Sequence, residues 1–94
     1  MGAASGPLRY TGQVSITILL FASVAEAVGA RRLELDSCPG DTVATVRDRL
    51  LALHPVLGKF VPTLMYAVDQ EYVRENDSVR AGAELALIPP VSGG

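Results

Sequence analysis

Apolar and polar residues alternate from Gln13 to Phe21. Val14, Ile16, Ile18 and Leu20 fall on one side, and Ser15, Thr17, Leu19 and Phe21 on the other. A period of two is the signature of a strand. The second face of this strand changes from polar to apolar along its length. Ser23 is placed to cap a short helix over Val24 to Val28, which Gly29 can end in a left-handed conformation. Arg31 to Leu35 reads as a second strand, with Leu33 and Leu35 on one face. Beyond a turn at Pro39-Gly40 the period changes. Val43, Val46, Leu50 and Leu53 recur at spacings of three and four, the buried stripe of a helix capped by Asp41 or Thr42. Pro55 disfavours helix at His54 and so stops it. Val56 to Pro62 reads as a loop. Thr63 to Val68 is a third strand, with Leu64, Tyr66 and Val68 alternating against Met65 and Ala67. Asp69-Gln70 turns the chain into a short fourth strand near Tyr72-Val73. Asn76-Asp77-Ser78 is loop chemistry anchored by Val79, and Ala81-Gly82 turns into a last strand over Leu85 to Ile88.

One amphipathic helix must cover one face of such a sheet, which predicts a two-layer α+β domain. The pattern leaves the strand order open. If the first and last strands are central neighbours, the architecture is a β-grasp. Met1 to Gly12 has three glycines and no periodicity, so residues 1–12 are expected to be a flexible leader, 13–90 the folded domain and 91–94 a flexible tail.

The chain closes on Leu85-Ala86-Leu87-Ile88-Pro89-Pro90-Val91-Ser92-Gly93-Gly94. Pro89 and Pro90 have no N–H to give a ladder, so the sheet must release the chain there. Two consecutive prolines favour a stiff, extended exit. Pro89 to Gly94 can reach roughly 20 Å at ~3.3–3.6 Å per residue. Gly93 and Gly94 have no Cβ, so a foreign active site can close around them. A terminal carboxylate at Gly94 is a poor electrophile until it is activated as a mixed anhydride with phosphate. Sulfur can then replace the phosphate to give a thiocarboxylate, or an amine can replace it to give an amide.

Composition narrows the remaining options. Ninety-four residues, nearly half of them apolar, make one globular domain. Net charge is −2, and the acidic excess lies in residues 51–94. No basic stripe offers itself to nucleic acid or to an anionic membrane. No apolar stretch is long enough to span a bilayer, and the default compartment is the cytoplasm. Cys38 is the only cysteine, so no intramolecular disulfide can form. His54 is the only histidine, and neither it nor the carboxylates have metal-ligand spacing. No catalytic constellation and no cofactor-binding loop is apparent.

The terminal Leu87-Ile88-Pro89-Pro90-Val91-Ser92-Gly93-Gly94 resembles the end of the molybdopterin synthase small subunits, a family of ubiquitin-like sulfur carriers. The likeness extends to His54-Pro55, Val68-Asp69-Gln70-Glu71-Tyr72-Val73, Ala81-Gly82-Ala83-Glu84-Leu85-Ala86 and the opening Ile18-Leu19-Leu20-Phe21-Ala22. It implies a β-grasp (ubiquitin-like) fold with a mixed sheet and one main helix across one face. It also implies that Gly94 is adenylated by an activating enzyme that uses ATP, and that a sulfur donor protein makes the thiocarboxylate. Pro89, Pro90, Val91, Ser92 and Gly93 would then carry the sulfur into a large synthase subunit, where it passes to a cyclic pterin phosphate precursor of the molybdenum cofactor. The chain would be the non-catalytic, sulfur-donating member of a sulfurtransferase complex. Two alternatives share this chemistry: a protein modifier conjugated through Gly94, and the sulfur carrier of the thiamine pathway.

Strand alternation also suggests where a partner docks. Glu84 is a poor candidate for burial beneath the helix, so Ile88, in phase with it, should lie on the open sheet face. Leu19 and Phe21 should lie there too. Parallel pairing of the two strands would bring Phe21 and Ile88 together beside the tail exit, with Tyr72 joining them. The alternative is that Phe21 folds over the sheet end as ordinary core.

Overall fold

The computed structural model describes residues 15–90. The expected leader 1–12 and tail 91–94 lie outside the described residues. The described chain runs β1 (Ser15–Leu20), α1 (Ala22–Val28), β2 (Arg32–Asp36), α2 (Val43–Leu53), two 3-10 turns (Pro55–Lys59 and Val61–Thr63), β3 (Met65–Val68), β4 (Glu71–Val73) and β5 (Glu84–Ile88). The sheet order is β2-β1-β5-β3-β4. β1 and β5 pair in parallel at its centre, with Ile18 opposite Leu85 and Leu20 opposite Leu87; the other pairings are antiparallel. The fold is an α+β β-grasp, as the resemblance implies.

Ile16, Ile18 and Leu20 of β1, Leu85 and Leu87 of β5 and Tyr66 of β3 are buried with Val24 of α1 and Val43, Val46 and Leu50 of α2. The α2 stripe holds through Leu50 and then fails, since Leu53 is 62% exposed. Pro55 ends the helix one turn after Leu50, and the following 3-10 turn drops Leu57 into the core in its place. The stretch expected as a plain loop is therefore structured, and it claims Thr63, so β3 starts at Met65. Gly29 does close α1 with φ 86°. Ser23, however, caps nothing. The chain enters α1 directly from β1, with Phe21 at the N-cap and Ala22 already in the first turn at φ 50°.

Thr42 is the cap of α2, in a reciprocal pair with Thr45. Two first-turn amides of α2 donate to the returning loop, Val43 N–H to the Asp77 carbonyl and Ala44 N–H to that of Glu75, both at 3.0 Å. Asp41 has a different task from capping. It is 5% exposed, and its carboxylate accepts from the Cys38 N–H, the Thr45 hydroxyl and both terminal nitrogens of Arg49, each at 2.8 Å. Arg49 Nη2 also donates to the Asp36 carbonyl at 2.9 Å, and the Asp41 carbonyl accepts the Val79 N–H at 3.0 Å. Asp41 thus joins the turn, the helix and the loop before β5, and Arg49 extends the network to the end of β2.

The Arg49 guanidinium, aided by the Cys38 amide and the Thr45 hydroxyl, outweighs burial and holds the Asp41 carboxyl far below the usual carboxylate range. An unfolded aspartate titrates near ~3.9. The stabilisation is therefore complete above about pH 5 and fades as pH falls through the native value. Asp41→Asn should cost about 2–3 kcal/mol near neutrality, less than a fully buried pair because Arg49 is partly exposed. Urea unfolding of both proteins across pH should show that difference shrinking below about pH 4.

Candidate functional site

Parallel pairing of β1 with β5 makes both strands end at the same edge of the sheet. β1 ends at Leu20, beside Leu87. Phe21 follows immediately, and the left-handed Ala22 turns the chain sharply into α1, so no loop carries Phe21 away from the strand end. On β5, Ile88 is opposite Met65 of β3, and Pro89-Pro90 leave the sheet directly after it.

The face away from the helices repeats the strand alternation. Leu19 pairs with Ala86, Ala86 with Ala67, and Ala67 with Tyr72, which makes one continuous row across four strands. The alanines are short and form a floor. Around it the larger side chains stand up, and they bound a depression of about 210 Å³ lined by Leu19, Phe21, Ala67, Tyr72, Ala86 and Ile88, with Gln70 and Glu84 at its polar end. Phe21 is 46% exposed, Met65 45% and Tyr72 69%. Phe21 is thus not ordinary core, and the structure brings Phe21, Ile88 and Tyr72 onto one surface beside the exit. Met65, Ala67 and Ala86 belong to it as well. The sequence carried the signal for them, since they share the phase of Ile88 on their strands.

The other candidate groups lie elsewhere. Cys38 is an exposed free thiol in the turn below Asp41. His54 closes α2 with its backbone N–H on the Leu50 carbonyl at 2.7 Å. Among the described residues there is no cluster of three or more His, Cys, Asp or Glu suited to a metal ion, and no helix is long and apolar enough to cross a membrane. Val91, Ser92, Gly93 and Gly94 lie outside the described residues.

A β-grasp sheet with an exposed apolar face, and a chain that leaves the sheet at the end of that face, defines a ubiquitin-like protein. The chain belongs to the ThiS family, whose profile matches residues 18–94. It is 34% identical over 83 residues to the molybdopterin synthase sulfur carrier subunit of Chlamydomonas reinhardtii, a match covering 86% of this chain and 100% of that one. It is 35% identical over 83 residues to small archaeal modifier protein 1 of Haloferax volcanii, covering 80% of this chain and 95% of that one. Among solved structures, SAMP1 from Haloferax volcanii superposes with a TM-score of 0.79 at 34% identity, covering 85% of this chain and 99% of that one. One chain in a structure of the complex of subunits 1 and 2 of molybdopterin-converting factor from Helicobacter pylori has the same fold, with a TM-score of 0.61 at 15% identity and coverage of 85% of this chain and 99% of that one. The resemblance to the molybdopterin synthase small subunits is thereby confirmed.

The two sheet faces should respond differently to truncation. Ile18 is fully buried and Phe21 is nearly half exposed. Ile18→Ala should cost about 3–4 kcal/mol, and Phe21→Ala about 1 kcal/mol from the smaller area it buries. Equal losses in urea unfolding would place Phe21 in the core after all.

Proposed function

We propose that the chain is the sulfur-carrier subunit of a molybdopterin synthase, acting in molybdenum cofactor biosynthesis through the carboxylate of Gly94. An activating enzyme that consumes ATP joins AMP to that carboxylate with release of pyrophosphate. Sulfur at the oxidation level of sulfide, supplied by a donor protein, displaces AMP and leaves the thiocarboxylate. The tail then enters the large subunit, where the sulfur bonds to a cyclic pterin phosphate precursor. Hydrolysis of the acyl–sulfur bond returns the carboxylate. The chain holds no cofactor of its own, and the ATP belongs to the activating partner. This chemistry belongs in the cytoplasm, with soluble protein partners and no nucleic acid or membrane.

One observation carries this reading. The apolar patch of Phe21, Ile88 and Met65 adjoins the point where Pro89 leaves the sheet. A partner seated on the patch therefore finds the following six residues within reach of its own pocket. The patch supplies recognition, and Gly93-Gly94 supply an end thin enough for a narrow channel.

Deleting Gly94 should abolish sulfur transfer and leave the unfolding midpoint unchanged, because a terminal glycine has no side chain to bury. Product formation and denaturation should be measured on the same preparation; full activity of the deletion would exclude terminal carrier chemistry. Phe21→Ala should weaken binding to the large subunit by ~1–3 kcal/mol, the range of an interface anchor, as read by titration against the purified partner.

A second reading is favoured by the likeness to small archaeal modifier protein 1. The same adenylate attacked by a lysine amine would yield an amide link to another protein. Intact mass of protein from the native host separates the two. A gain of about 16 Da, from the atomic masses of sulfur and oxygen, marks the carrier, whereas heavier species in which the chain is joined through Gly94 to a lysine of another protein mark the modifier.

A further inference from the structure

β3 and β4 are joined by only two residues, Asp69 and Gln70, between the paired Val68 and Glu71. Both have left-handed backbone, with φ 49° at Asp69 and φ 74° at Gln70. A two-residue hairpin demands this, and glycine or asparagine is the usual occupant. Asp69 has a structural reason to be there. Its carboxylate accepts the Glu84 N–H at 3.0 Å, its own N–H donates to the Glu84 carbonyl at 2.9 Å, and Arg80 lies 3.7 Å away. These bonds tie the turn to β5.

Gln70 has no such compensation. It occupies a backbone conformation that costs a residue with a Cβ, it is exposed, and its side-chain amide makes no hydrogen bond within the described residues. Yet it lines the open-face depression, at the end opposite Phe21 and Ile88. A strained residue whose functional group has no use inside the chain points outward for its purpose.

We infer that Gln70 is a specificity-determining contact of the docking face, its amide hydrogen-bonding a peptide group of the large subunit that fills the depression. The inference rests on the docking reading above. An amide offers one acceptor and a donating NH₂, which complements the C=O and N–H of a partner backbone. The Tyr72 ring and the alanine floor of the same depression would help exclude water from that pair and strengthen it. Asp69, tied to β5, fixes the turn so that the amide is presented without searching.

The test uses the full chain and the purified large subunit of the synthase. Gln70→Gly, Gln70→Ala and Phe21→Ala are titrated beside the unaltered protein, and each is unfolded in urea. Gln70→Gly should raise the unfolding midpoint while weakening binding about five- to tenfold, the worth of one or two hydrogen bonds. Gln70→Ala keeps the strained backbone and loses only the amide; it should weaken binding equally with the midpoint unchanged. If both bind as tightly as the unaltered protein while Phe21→Ala binds weakly, the role of Gln70 is overturned and docking on this face stands. If Gln70→Gly binds weakly and Gln70→Ala does not, backbone stiffness and not the amide is responsible, which also overturns it. A glycine variant no more stable than the original removes the strain argument. Unchanged affinity in all three variants defeats the docking reading and this inference together.

Discussion

The parallel pairing of β1 with β5 is the constraint on which the rest of the molecule depends. These strands lie at opposite ends of the folded domain, yet they are central neighbours, with Thr17 opposite Glu84 and Leu20 opposite Leu87. Parallel neighbours cannot be joined by a tight turn, so everything between them must leave the sheet, cross it and return. The crossing buries one face completely. Ile16, Ile18, Leu85 and Leu87 have no measurable exposure beneath α2 and the 3-10 turn. It leaves the other face bare. It also fixes direction: both strands finish at the same edge, so the side chain after β1 and the exit from β5 must be neighbours. The juxtaposition of Phe21 with Pro89 follows from topology before any side chain is chosen.

A long crossover is costly in chain entropy, and Asp41 is where the structure gathers it. The turn at Cys38, the helix and the loop at Val79 all bond to this one residue, and its partner Arg49 reaches the end of β2 at the Asp36 carbonyl. Carboxylate and guanidinium meet through two parallel contacts, the geometry in which this pair is strongest and most directional. The remaining lone pairs are taken by an amide and a hydroxyl, so the buried charge is satisfied on every side and its desolvation is offset. The node lies on the crossover and away from the tail exit, which lets the exit region be bare and apolar without loosening the fold.

Much of this was legible in the sequence because burial and periodicity coincide. Val43, Val46 and Leu50 are spaced for one helix face and are buried there. Leu53 fits the same spacing but is exposed, since periodicity cannot register that Pro55 ends the helix before that turn meets the sheet. Ser23 had the right chemistry for a cap, but Ala22 takes a left-handed backbone that alanine propensity argues against, and the helix begins earlier. Gln70 was hidden for the same reason. Its turn was expected, while its strain belongs to a residue type that gives no warning of it. The open face was readable from the phase of Leu19, Phe21 and Ile88. The two alanines that hollow it follow the same alternation, but their role as a floor was not readable, because a small residue looks alike in a core and in a floor.

The architecture separates recognition from chemistry. Under the proposed docking, selectivity would rest on a plate of five strands, where side chains are held by a ladder and presented in fixed rows. Under the proposed function, chemistry would rest on the Gly-Gly end, whose lack of side chains leaves it little means of discriminating among partners. Docking on the plate converts insertion of that end into an intramolecular step, whose effective concentration depends on the span between patch and pocket. Pro89-Pro90 bear on that span. A stiff exit spends fewer conformations than a flexible one of equal length, so less entropy is lost when the end enters a channel. In the proposed role, a carrier that visits a large subunit and an activating enzyme in turn would gain from presenting each with the same plate and the same thin end, leaving the reacting groups to the partners.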